Sequence, residues 1–478
     1  MNYRLILYTI GWALNIEGFC LLLPLICSAI YKEPYVLTFA FCMLVCLAVG
    51  FSFTVKSPKN KSMYAKEGFI IVALSWIFIS LFGCLPFVLS GYIPNFVDAL
   101  FETVSGFTTT GATILSDVEI LPKGLLFWRS FTHWIGGMGV LVFLVAILPL
   151  SGGNNFHLIR AESTGPAVSK LVPTVKSTAK LLYGMYIFLT FLEIILLLIG
   201  KMTLFEALTL SFGTAGTGGF GILNSSFANY TPYIQYVVAI FMILFGIDFS
   251  VYYLIIMRKF RLVLKSEEFK AYIGIILVSS LIICLNCASL FENLAISFRH
   301  AFFQVGSIIT TTGFTTVDFD KWPEFSKTII VILMFIGACA GSTGGGIKVS
   351  RVMILLKSIV KEIKIAAHPK RVYKTTMNGK IVEHETVRAV NVFMVAYIAI
   401  YVASMLIISI DNMDFTTNFT AVAATINNIG PGLAGVGPTQ TFGAFSWLSK
   451  LVFIFNMIVG RLEIFPVLIL FSLPTWKK

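Results

Sequence analysis

Four short stretches place threonine, asparagine and glycine where an otherwise apolar chain has no obvious use for them: TTTGAT (108–113), TGGFG (217–221), TTTGFT (310–315) and NIGPG (428–432). No ionisable side chain stands beside their central glycines, Gly111, Gly219, Gly313 and Gly430, so the ligands on offer are hydroxyl and main-chain carbonyl oxygens. Rings of such oxygen dipoles replace the hydration shell of a monovalent cation, whereas rings of charged side chains suit other ions. An anion or a neutral solute would want donors, and these strips expose few. Glycine lets the backbone reach positive φ, which turns carbonyls without a clashing side chain.

The four stretches share a register. Aligned on those glycines they are separated by 108, 94 and 117 residues, and Ala99, Ala207 and Ala301 stand twelve residues before the first three. Leu100, Leu208, Phe302 and Phe419 stand eleven before all four. Recurrence at one fixed offset marks an internal repeat, weakest in its fourth copy. Each unit reads as span, short apolar re-entrant helix, polar strip, span. In hydrocarbon every unpaired backbone group costs several kcal/mol, so irregular backbone at that depth must be buried or line a watery path. Four units around an axis would turn four strips toward one lumen, and inward-pointing helix C-termini would add partial negative charge there.

The elements that must position these strips are transmembrane helices. The chain has 478 residues, 57% of them hydrophobic and only 12% charged, with a mean hydropathy of +0.88; soluble proteins average about 25% charged residues. Uninterrupted apolar runs exclude a β-barrel, whose strands alternate in polarity. A bilayer takes about 20 apolar residues per helix, and runs near 5–30, 36–55, 68–91, 124–149, 181–200, 233–257, 271–290, 328–356, 389–410 and 447–473 qualify. The first is too long for a signal peptide and reads as a retained span.

Ten spans put both termini on one side. With that side cytoplasmic, the inner segments hold 26 of the 35 Lys and Arg residues, ten of them in 348–388, while 411–445 holds none. The positive-inside rule therefore expects cytoplasmic termini. Topology thus accounts for the net charge of +12 with no nucleic-acid partner. RKFRLVLK (258–265) would suit anionic lipid, a cytosolic partner or plain solvated loop charge. All eight cysteines lie in apolar stretches and read as small buried hydrophobes.

In the eighth span the stretch GACAGSTGGGIK (337–348) carries glycines at 337, 341, 344, 345 and 346, each costing a helix about 1 kcal/mol against alanine. A phosphate-binding loop is a poor match, since Gly346 is followed by Ile347 before Lys348. The alternatives are a glycine-rich packing interface and a loop closing a pore below the strips, the latter preferred. Arg461 and Glu463 lie inside the last span; intramembrane charge is a functional hypothesis by default, and structural pairing with carbonyls is the alternative. Glu193 and Asp248, also within spans, read as packing or inter-helix hydrogen bonds. Enzyme chemistry has no support: His133, His157, His300, His368 and His384 are scattered, and no zinc or serine-hydrolase motif occurs. In a transporter coupled to a proton or sodium ion, the embedded acids Asp248 or Glu193 would be the carriers.

GFTTTGAT, TGGFG, TTTGFT and NNIGPGL, each after a short helix, resemble the four filter loops of the Trk/Ktr/HKT potassium transporter superfamily. HWIGGMG (133–139) and AGSTGGGIK (340–348) are similar to further motifs of that family, and the extra N-terminal span pair resembles the bacterial Trk type. The resemblance implies an all-α membrane fold with an N-terminal helix pair (1–66) and pore repeats at 67–180, 181–270, 271–388 and 389–478. It implies a single-chain filter for potassium, the substrate rather than a cofactor, formed by Thr109, Thr110, Gly111, Thr217, Gly218, Gly219, Thr311, Thr312, Gly313, Asn428, Ile429 and Gly430. Direct contacts would come from Thr110, Gly111, Gly218, Gly219, Thr312, Gly313, Ile429 and Gly430. It further implies a gating loop at Gly341, Ser342, Thr343, Gly344, Gly345 and Gly346, and Arg461 as an electrostatic barrier. Glycine at all four filter positions favours potassium; relatives favouring sodium often carry serine at the first. The family also implies the bacterial inner membrane, a homodimer and a cytosolic nucleotide-binding regulatory partner. His133 stands where glutamine is expected and Asp248 where asparagine is commoner, and neither is expected to touch the filter.

Overall fold

The structure is a computed structural model that describes residues 1–59, 64–139 and 175–476. Residues 140–149 of the expected fourth span, and most of the inner segment after it with His157, lie outside the described residues. What is described is helical, apart from a two-stranded hairpin pairing Thr376–Met377 with Lys380–Ile381. Six of the described helices are long and apolar enough to cross a bilayer: Tyr3–Ile30, Val36–Thr54, Lys66–Leu89, Ala179–Ile199, Glu267–Asn286 and His384–Asp411. Large apolar side chains such as Leu37, Phe188 and Val395 project outward from them. That is the arrangement of a multi-pass membrane protein, whose solvent over that belt is lipid. The first and second of these helices approach closely because Gly11 and Gly50 face each other; a Cβ on Gly11 would stand 2.8 Å from the Gly50 carbonyl oxygen.

Inside this belt sit four helices too short to cross: Phe96–Phe107, Leu204–Gly216, Leu294–Ile309 and Phe415–Ile426. Each begins at a side-chain cap, from Asn95, Thr203, Asn293 and Asp414 respectively, which satisfies amides that the first turn leaves unpaired. Each ends in the same double bond. Thr109, Thr217, Thr311 and Asn428 donate backwards three residues, and Thr110, Gly218, Thr312 and Ile429 donate backwards five. This is the Schellman pattern, and it requires a left-handed residue just past the helix. Thr109, Thr217, Thr311 and Asn428 supply it, with φ of 55°, 54°, 60° and 54°.

Two of the expected continuous spans, the sixth and the tenth, are broken, and the eighth is interrupted at its glycine cluster. The sixth is Pro232–Phe245 followed by Phe249–Ile256, bent by 92°, because Asp248 caps the second piece by accepting the Ser250 amide at 2.8 Å. The eighth stops at Ile336 and resumes at Val349, then runs on to Ala367, so part of the expected inner segment 348–388 is helix. The tenth stops at Arg461 and resumes at Phe465, with Glu463 and Ile464 at positive φ and Pro466 in the next first turn. Hydropathy counts apolar residues and does not register the breaks in the sixth and the tenth.

Candidate functional site

The four strips meet. A Cβ built on Gly111 would fall on the Gly218 carbonyl oxygen, one on Gly219 on that of Thr312, and one on Gly313 on that of Ile429. One on Gly430 would stand 2.9 Å from the carbonyl oxygen of Thr110, which closes the circuit. All four glycines have positive φ, from 78° to 97°. The left-handed residue, a residue of negative φ and the left-handed glycine thus alternate identically in every strip. This alternation turns successive carbonyls to one side, and a methyl group at any of the glycines would wedge into its neighbour. Three of the other left-handed residues are threonines, for which positive φ is a genuine outlier; such strain persists only where surroundings over-determine it.

On one side the ring opens into a cavity of about 460 Å³ lined by Gly111, Gly219, Gly313, Gly430, Ser116 and Asn224, among others. Near that mouth Asn224 donates to Asp117 at 2.7 Å, and this bond holds the Asp117 carboxyl below the usual carboxylate range. On the other side the ring is stopped from beneath. Gly345 donates its amide to Thr311 Oγ1 at 2.6 Å, and a Cβ on Gly344 would stand 2.8 Å from the Thr310 carbonyl oxygen. Arg461 reaches the same place from the broken last span. It donates to Thr109 Oγ1 at 3.1 Å, to the Thr343 carbonyl at 2.8 Å, to the Gly137 carbonyl at 2.8 Å and to the Gly136 carbonyl. One guanidinium therefore joins a strip, the intramembrane loop and the end of helix Lys123–Gly137.

The loop is anchored at the bend of the sixth span. Cys339 donates to the Gly246 carbonyl at 3.1 Å, Thr343 Oγ1 to that of Phe245 at 3.2 Å, and Phe249 to that of Gly341 at 3.2 Å. Ser342 Oγ closes a turn on the Cys339 carbonyl, and Gly346, at φ 78°, packs against Gly337. Lys348 folds its ammonium back onto the Gly344 carbonyl, and Glu463 pairs with Arg351 just beyond the loop. Each residue expected in the strips, the loop or at 461 thus lies in one contiguous assembly.

A family model described as TrkH, cation transport protein, matches residues 35–477. The chain belongs to the TrkH family. The Trk system potassium uptake proteins TrkH of Vibrio parahaemolyticus and Escherichia coli K12 are 36% and 34% identical to it over 495 and 488 residues, with 100% of both chains covered in each case. The crystal structure of the potassium transporter TrkH from Vibrio parahaemolyticus matches with a TM-score of 0.89 at 33% identity, again over 100% of both chains.

In this TrkH-family chain one residue, His133, sits where sequence reasoning did not expect it, and another, Glu268, went unnoticed. His133 does touch the strips: Nδ1 pairs with the Gly106 carbonyl at 2.7 Å, Nε2 accepts the Phe220 amide at 3.2 Å, and the ring fills the space beside Gly218. The acceptor role of Nε2 puts the proton on Nδ1. Asp248 lies against the intramembrane loop, 2.7 Å from where a Gly341 Cβ would stand. Glu268, which sequence reasoning did not single out, accepts the amides of Ala340 at 2.7 Å and Ser350 at 3.2 Å, bracketing both ends of the loop. An acid at the start of a helix signals no more than a capping role, and its partners stand 72 and 82 residues away.

Proposed function

We propose that this chain is the membrane subunit of a Trk-type potassium uptake system in the bacterial cytoplasmic membrane, with both termini in the cytoplasm. The observation that carries the reading is the closed circuit of Gly111, Gly219, Gly313 and Gly430, each against a carbonyl of the next strip. Potassium entering from the cavity exchanges its water shell for the carbonyl and hydroxyl oxygens of Thr110, Gly111, Gly218, Gly219, Thr312, Gly313, Ile429 and Gly430. Thr109, Thr217, Thr311 and Asn428 hold the strips from behind. Four helix C-termini at the ring each contribute about half a negative charge, which favours a cation. The relatives described above are named as potassium uptake and potassium transport proteins, which points the same way.

Loop 341–346 is the gate in this reading, closed as described, with Arg461 as both its latch and a positive obstacle beneath the filter. A cytosolic nucleotide-binding subunit opens it, and the membrane subunits pair as a homodimer. The basic segment 348–388 is the docking surface. Its hairpin is tied by Lys357 to Glu267, and the next residue, Glu268, holds the loop, so docking surface and gate share one helix end. Coupling to a proton is the second reading, favoured by the complete burial of Glu193; loss of pH-dependent flux in Glu193→Gln would support it.

The deciding experiment is potassium and sodium uptake by proteoliposomes containing wild type or Gly111→Ser, with and without the cytosolic partner. A wild-type preference for potassium that the variant loses supports the ring as filter. A preference unchanged by the substitution overturns it.

A further inference from the structure

Behind the ring, at the junction of the first two strips, lies a buried ion pair that the circuit itself does not use. Glu102, on the first short helix, accepts Arg129 Nε at 2.6 Å; both side chains are almost wholly buried. The same carboxylate accepts the Thr113 hydroxyl at 2.9 and 3.0 Å and the Ile114 amide at 3.1 Å, just past Gly111. Arg129 donates Nη1 to the Gly221 carbonyl at 2.9 Å, just past Gly219, and lies 3.5 Å over the Phe220 ring. Phe220 in turn packs on His133, with ring centroids 4.2 Å apart. An unbroken run of charge-assisted bonds therefore spans from the exit of strip one to the exit of strip two.

Only the first repeat carries this acid. The positions nine residues before the other glycines are Leu210, Gln304 and Ala421, and Gln304 is buried with neither end of its amide hydrogen-bonded. A buried ion pair is weak support for stability, since apolar replacements often do as well, and its best-attested use is to fix one arrangement among several. Here the arrangement it fixes is the separation of two strips whose Gly111 and Gly218 are in contact.

We infer that Glu102 and Arg129 are positioning residues that set the bore between strips one and two, and thereby the discrimination of potassium from sodium. This rests on the strips being the filter. Glu102 lies behind the ring, and Arg129, which also lines the entry cavity, offers no oxygen to the ion. They hold carbonyls that do, and loosening them lets the ring contract around the smaller sodium ion.

The test measures potassium and sodium uptake by full-length protein in proteoliposomes for Glu102→Gln, Arg129→Lys and Thr113→Val, with Gly111→Ser as reference and thermal melting in parallel. Glu102→Gln should lower the potassium-to-sodium ratio by about tenfold, the factor one hydrogen bond to a charged group is worth, by raising sodium flux. Arg129→Lys, which keeps the charge but not the planar fork, should fall between it and wild type. Thr113→Val leaves the ion pair intact and should show a smaller drop even if Glu102→Gln does not fold. Ratios unchanged in every folded variant while Gly111→Ser loses selectivity would overturn the positioning role and leave the filter standing. Ratios unchanged in Gly111→Ser as well would remove the filter reading and this inference with it.

Discussion

Gly345→Ala separates the gating role of the intramembrane loop from the charge of Arg461. Gly345 is absent from the positive-φ residues, so alanine fits its backbone. Its Cβ, however, would fall on the Asn427 carbonyl oxygen and stand 3.1 Å from Asn428 Cβ. Only the docked loop meets that clash, and forcing a methyl into a packed site costs about 1–3 kcal/mol. Alanine also stiffens the undocked loop, which opposes the effect by about 0.4–1 kcal/mol. The balance undocks the loop by roughly tenfold, near 1.4 kcal/mol. The assay is potassium uptake by proteoliposomes without the cytosolic partner, the condition in which the proposed gate keeps wild type shut. Gly274→Ala is the control, because nothing lies within 4 Å of a Cβ there. Folded Gly345→Ala protein whose basal flux matches the control, or falls below it, would refute the docked loop as the closed gate.

Arg461→Gln removes both latch and obstacle, so its basal flux should exceed that of Gly345→Ala; Arg461→Lys, which keeps the charge, should lie between wild type and Arg461→Gln in the same uptake assay. Glu268→Gln exchanges charge-assisted bonds to the Ala340 and Ser350 amides for neutral ones, worth about 1 kcal/mol less, and should raise basal flux roughly fivefold. At the start of helix Phe415–Ile426, bonds from Thr417 to Asp414, first its side chain and then its amide, hold the Asp414 carboxyl below the usual carboxylate range. That cap's contribution is present above the unfolded value near 3.9 and is lost as pH falls through the depressed one. Asp414→Ala should therefore lower thermal stability by about 1 kcal/mol at neutral pH, with a difference from wild type that disappears in acid.

The ring is legible because its glycine occurs four times, eleven residues after Leu100, Leu208, Phe302 and Phe419, and covalent spacing is something a sequence displays directly. The glycines of 337–348 are legible for a related reason, since no helix former could hide them. What surrounds both is not. Glu102 and Arg129 look like a helix-borne acid and a stray base 27 residues apart, and only the fold shows that each holds a different strip. His133 sits in a glycine-rich motif whose recognition is local, whereas its role depends on the backbone of residue 220, 87 positions on. The bends near 246 and 462 escape hydropathy because one polar residue in an apolar run barely lowers a window average, yet Asp248 satisfies the amide that lets a new helix start there.

The same backbone outliers that shape the ring also tie it to what lies beneath. Left-handed conformation costs an L-residue roughly 1–2 kcal/mol, and Thr109 and Thr311 adopt it without glycine's freedom. Their Schellman bonds recover part of that, and their hydroxyls recover more by binding Arg461 and the Gly345 amide. If the loop withdraws, Thr311 loses the Gly345 amide and Arg461 loses the Thr343 carbonyl that helps aim it at Thr109. Ring and loop then share a coupling free energy, and coupling of that kind is reciprocal. An ion that binds the ring more tightly with the loop docked must favour docking by the same factor, so the potassium concentration at the mouth should itself bias the gate.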